Sequence, residues 1–275
     1  MDRTSRSSRY VLAAVALAAG TLAAPALAQT FAVNEGTVPG AAANTVTADR
    51  ISFNYAAQIV QTLVGPSYDG NDPFVESGFL TKASFANGGS AVASQLNSFG
   101  AAGYGIYGLF TINGTAAQVG AGITATFSSA TLQLFIDPGQ NTSLGFVGNT
   151  ATPGGVMGDD YLIATYSLAA GEAHVFGGLA NGDFDTLLNL TLSNNGTAQD
   201  GQSYFSSPAL FYTQENFGGN TETLSGASLT SSFVASATGA GTELFLAPIP
   251  EPETYALILA GIGALGFIAR RRRRS

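Results

Sequence analysis

Few side chains in this sequence could do chemistry. His174, in GEAHVFGG, is the one histidine. A single imidazole in a strand-like segment reads as structural, and no serine lies in a G-x-S-x-G turn for it to activate. Asp183 and Asp185 are two apart and would share one face of a strand. Glycoside hydrolysis takes its two carboxyls from opposite sides of a cleft. Asp159 and Asp160 are adjacent and would point to opposite faces of an extended chain. The turns YDGND (Asp69, Asn71, Asp72) and ANGDFD (Asn181, Asp183, Asp185) offer the hard oxygen ligands that calcium takes. Neither has EF-hand or RTX spacing, and Asp, Asn and Gly make turns without metal. Asp69, Asp72, Asp183 and Asp185 are therefore the calcium candidates of a chain expected to need no cofactor and to be no enzyme. The absence of cysteine excludes thiolate zinc sites, a catalytic thiol and disulfides.

The two ends differ from the middle. Arg3, Arg6 and Arg9 precede an apolar run from about Tyr10 to Leu27, which closes on the small-residue site Ala26-Leu27-Ala28. This order predicts a signal peptide over 1–28, cleaved after Ala28, and an exported chain beginning at Gln29. At the other end stand Pro250-Glu251-Pro252, an apolar run from Tyr255 to Ala269, and Arg270, Arg271, Arg272, Arg273 and Arg274. Fifteen apolar residues at ~1.5 Å each reach roughly 23 Å, short of a ~30 Å hydrocarbon core unless arginine stems snorkel. The arginines predict a stop and an orientation, held on the cytoplasmic side of the inner membrane.

Between Gln29 and Ala247 only Arg50 and Lys82 are basic, against fifteen acidic residues, a net charge of −13 compared with −8 for the whole chain. Such a surface argues against nucleic acid or anionic lipid as partner. The 29–247 segment is long enough for one sizeable core and reads as all-β. Ile51, Phe53 and Tyr55 alternate with Ser52 and Asn54. In GITATFSSATLQLFID the inward phase runs through Ile123, Ala125 and Phe127, then shifts to Leu132, Leu134 and Ile136, which predicts a bulge or turn near Ser128-Ser129. Segments 161–168, 183–192, 203–213 and 241–247 are further strand candidates, and Gly/Asn/Asp clusters, FGGN (217–220) among them, are expected to separate strands. A short helical turn is expected in Ala93–Gly105. Many short strands without a repeat predict one antiparallel β-sandwich or partly closed barrel.

Pro-Glu-Pro, a short Gly-rich apolar helix and a terminal Arg cluster, over 248–275, closely resemble the PEP-CTERM sorting signal of Gram-negative bacteria. The resemblance implies recognition by an exosortase, processing near Pro250–Pro252, and display at the cell surface or in the matrix after a transient stay in the inner membrane. The segments FAVNEGTVPGAAANTVTADRISFNYAAQI, FVESGFLTKASF, YGIYGLFTINGT, LQLFIDPGQNTS, GDDYLIATYSL and SYFSSPALFY resemble, in order, the flocculation-associated PEP-CTERM proteins. That resemblance implies a non-catalytic role in floc or biofilm matrix alongside exopolysaccharide. The alternatives are a calcium-dependent adhesin, a glycoside hydrolase, and a carbohydrate-binding module, which would stack sugar on exposed Tyr104, Tyr107, Tyr161 and Tyr212.

Overall fold

The computed structural model describes residues 29–98, 103–209 and 211–246; the segment 1–28 expected to be a signal peptide, the Pro-Glu-Pro motif, the apolar run and the arginines lie outside them. The described chain begins with β1 (Phe31–Asn34), a 3-10 turn at Glu35–Thr37, and β2 (Thr45–Ala48). Next come β3 (Arg50–Gln61), β4 (Asp69–Asn87), the two-residue β5 (Ser90–Ala91), β6 (Gly105–Val119) and β7 (Gly122–Asp137). A hairpin of β8 (Thr142–Val147) and β9 (Thr150–Gly155) leads to β10 (Tyr161–Val175) and β11 (Asn181–Leu192). A single helical turn, α1 (Gly201–Tyr204), precedes β12 (Phe205–Ser207), β13 (Gln214–Ser225) and β14 (Phe233–Leu246).

Eight strands pair in chain order, β3-β4-β6-β7-β10-β11-β13-β14, every pair antiparallel, and β14 pairs back onto β3. The all-β expectation holds, and of its two architectures the barrel is the one formed, fully closed. Closure removes the unpaired strand edges on which other chains could add. Alternation sets the faces: Ile51, Phe53, Tyr55 and Ala57 of β3 point inward and are buried. Outward positions such as Ser52, Asn54, Thr165, Ser167, Ser236 and Thr238 are polar, the sidedness of a barrel that faces water. Each wholly buried Phe contributes about 1.5–3 kcal/mol.

Bulky rings crowd a narrow lumen, and glycine makes the room. Phe110 lies opposite Gly78, Phe74 opposite Gly114, Phe184 opposite Gly219 and Phe53 opposite Gly241, each a cross-strand pair. Phe127 meets Gly171 on β10 in the same way, and a Cβ at any of these five glycines would run into the facing ring. FGGN, expected as a separator, is therefore interior to β13, where the ladder slips between Gly218 and Thr221. The phase shift in β7 is a bulge: Asn113 pairs with Ser129 and Gly114 with Phe127, leaving Ser128 unpaired, its hydroxyl donating to Asn113 O (3.1 Å).

One other expectation is corrected, and a second meets nothing in the described residues, which leave out 99–102. Segment 203–213 is not one strand; it holds the end of α1, then β12, with Asp200 capping the helical turn through Ser203 N (2.8 Å). The described part of 93–105 contains no helix, only a turn at Asn97 (φ 57°) and an isolated bridge between Leu96 and Tyr104.

Because the strands alternate in direction, every long connection falls at one end of the barrel. There β1, β2 and β12 form a separate three-stranded sheet, packing Phe31 and Phe205 against Phe245 of β14 (4.5 and 5.6 Å between rings). Short turns close the opposite end, where Tyr68, Ala116 and Ile123 pack with Leu63, Leu179, Leu229 and Phe233. The β8–β9 hairpin lies on the outer wall, with Phe146 against Phe79 (5.3 Å) and Ala151 N donating to Ser77 Oγ (3.0 Å).

Candidate functional site

The residues singled out in the sequence do not converge. His174 and Asp183 are a cross-strand pair on the outer face of β10 and β11, with Nδ1 and Oδ1 3.1 Å apart and both side chains more than a third exposed. Asp185, on the same face, accepts from Asn216 Nδ2 (2.5 Å). Asp160 accepts from the Tyr107 and Thr142 hydroxyls (2.7 Å each). YDGND, expected as a turn, is instead the slipped start of β4, between Asp69 and Asp72; there the buried Asp72 accepts from Val64 N (2.7 Å) and Asp69 N (2.8 Å), and Asp69 accepts from Asn71 N (3.1 Å). Asp69 and Asp72 thus shape the entry to β4, while Asp183 and Asp185 stand on β11. Among the described residues no three acidic or histidine side chains are grouped to hold a metal ion.

The four tyrosines form no stacking platform. Tyr104 and Tyr107 are buried; Tyr107 lies parallel to Phe135 (5.2 Å, 17°). Tyr161 and Tyr212 are half-buried, and the Tyr212 hydroxyl donates to Thr30 O (2.7 Å).

The chemistry-bearing side chains that sequence reading missed are inside the barrel, in two layers. Toward the short-turn end a cavity of about 70 Å³ is lined by Tyr55, Glu76, Phe110, Phe127, Phe184 and Glu222, among others. Burial raises the Glu76 carboxyl to about 8, with the facing Glu222 adding to it. Burial also raises Glu222, to about 7; the nearby Tyr55 hydroxyl offsets part of that and Asp183 adds to it. Burial above all, then the two carboxylates, push the Tyr55 phenol far up. At neutral pH this pair holds protons that an ordinary surface pair would have lost.

Toward the capped end, beyond the rings of Phe53 and Phe217, lie Lys82, Glu215, Glu243 and Tyr166. Lys82 is the one lysine of the chain. It and both glutamates are wholly buried. Lys82 Nζ contacts Glu243 Oε2 and stands 4.6 Å from the Phe217 ring centre and 5.4 Å from that of Phe53. The Tyr166 hydroxyl donates to Glu243 Oε1 (3.4 Å), and neither Glu215 oxygen has a hydrogen-bond partner. Burial lowers Lys82 to about 7 against the pull of Glu215, and raises Glu215 to about 8 despite Lys82 and Tyr166.

A further buried carboxylate, Glu35, sits under the capping sheet and is fully satisfied. It accepts from Asn44 Nδ2 (2.6 Å), Gln95 N (2.7 Å), Gln95 Nε2 (3.1 Å) and the Tyr104 hydroxyl (3.0 Å), which also meets the Tyr204 hydroxyl (2.7 Å). Its role is to lock the cap. In sequence these inward charges look like solvated surface groups. The available signal was their parity with neighbouring apolar positions: Glu215 with Phe217, Glu243 with Phe245, Lys82 with Leu80.

No curated protein and no solved structure matches the chain. Residues 248–274 match the family model of the PEP-CTERM protein-sorting motif. The chain therefore carries, at 248–274, a PEP-CTERM protein-sorting motif, the mark of an exported protein directed to an exosortase.

Proposed function

We propose that the barrel is a non-catalytic surface or matrix protein that supports flocculation and biofilm formation together with exopolysaccharide. The observation that carries the reading is the sorting motif at 248–274 joined to a closed, water-facing, strongly acidic barrel. The ordered resemblance to flocculation-associated proteins supports it. So does the placement of His174, Asp183 and Asp185 on the outer face of β10 and β11, with Asp160 held elsewhere by Tyr107 and Thr142. With a net charge of −13 between Gln29 and Ala247, contact with acidic polysaccharide needs bridging cations or short-range contacts.

Deleting the gene in the native host tests this. Polysaccharide secretion is expected to persist while cells disperse, and millimolar calcium is expected to promote aggregation of wild-type cells only. Normal flocculation of the deletion strain, or hydrolysis of the host polysaccharide by the purified protein, overturns the reading.

A further inference from the structure

We propose that Lys82 and Glu243 join in an intramolecular isopeptide bond, with Glu215 as the proton shuttle that makes it. The amine and the carboxyl are already in contact, wholly buried on β4 and β14, the two strands that flank β3. Phe53 and Phe217 wall them from water. Glu215 stands diagonally from Glu243 on β13, since Glu215 pairs with Phe245 and Phe217 with Glu243. It is wholly buried and acts electrostatically on Lys82, and with neither oxygen hydrogen-bonded it can turn toward the reacting pair. An ion pair with an extra carboxyl is a costly occupant of such a site, and neutral forms are favoured there. Fixed contact replaces a bimolecular encounter, and the dry interior withholds the water that would reverse the reaction.

The step balances without any added reagent. The neutral Lys82 Nζ attacks Glu243 Cδ, forming the C–N bond. Protonated Glu215 gives its proton to the departing Glu243 hydroxyl and takes one from Nζ. The C–O bond breaks, one water leaves, and Glu215 ends protonated as it began. Tyr166, donating to Glu243 Oε1, steadies the oxygen that gains charge during attack. Nothing is oxidised or reduced, and the product is a neutral secondary amide across β3, from β4 to β14.

The inference is independent of the adhesion reading. It is tested on the full-length protein, denatured, treated with an amine-reactive label and then digested. Expected is a branched peptide carrying Lys82 and Glu243, lighter by about 18 Da than its two parts, with Lys82 unlabelled and uncut by trypsin. A labelled, linear Lys82 peptide as the main species overturns the bond. Glu215→Gln keeps size and hydrogen-bonding capacity; it is expected to fold, by circular dichroism, and to leave Lys82 labelled. If it cross-links as fully as wild type, the role given to Glu215 is wrong.

Discussion

Glu222 shows how a single buried carboxyl sets the response of the protein to pH. Unfolded, Glu76 and Glu222 lose their protons near 4.5; in the barrel they keep them to about 8 and about 7. Between these values the native state binds more protons at these two groups, so their contribution to stability is greatest below 4.5 and falls as pH rises toward 8. Glu222→Gln is expected to flatten that fall and to raise stability at pH 8 by about 1–3 kcal/mol in urea titrations; an unchanged slope refutes the assignment. A free Lys82 has the opposite sign. Lowered to about 7 from 10.5, it binds its proton in the unfolded chain first, so stability would rise with pH over that window. The amide removes this rising arm, which gives the bond a thermodynamic signature distinct from its mass.

At the level of elements, glycine is the space on which the rings depend. Gly78→Ala would drive a methyl into the Phe110 ring and the Ala56 carbonyl, and is expected to cost about 1–3 kcal/mol. Gly145→Ala, on the open β8–β9 hairpin with nothing nearby, is expected to stay within ~0.5 kcal/mol. Equal losses in the two variants, measured by urea denaturation, contradict this account of the strands. The same glycines explain what could be read beforehand. Strand β7 was legible to the residue, because its apolar phase is continuous on either side of Ser128. Strands β4, β6 and β13 were not, because Gly78, Gly108, Gly114, Gly218 and Gly219 imitate turns when read locally. The lumen was illegible for a second reason: charge is normally outside, so Lys82, Glu215 and Glu243 were assigned to solvent. The sorting tail was legible because its meaning resides in residue order rather than in packing.

For the whole molecule, the tail determines where the barrel goes. Replacing Arg270–Arg274 with serine is expected to move the precursor, in cells lacking exosortase, from the membrane to the soluble fraction, because the short apolar run holds weakly alone. Unchanged membrane retention in fractionated cells counts against that role. The closing seam between β3 and β14 has its own consequence. Ile51 pairs with Glu243 at the capped end and Gln61 with Phe233 at the other, so the chain enters β3 and leaves β14 side by side. Tension applied to the two ends of the chain, once the short capping strands release, therefore meets the seam's hydrogen bonds one after another. The barrel would unzip under modest force instead of resisting in shear. Glu243 belongs to the pair that would be pulled first, and Lys82 stands opposite Phe53, two residues further along β3. A covalent tie between them leaves β3 on the pulled side, so the seam would still open, and unravelling would stop at Lys82 with roughly 160 residues of chain enclosed behind it.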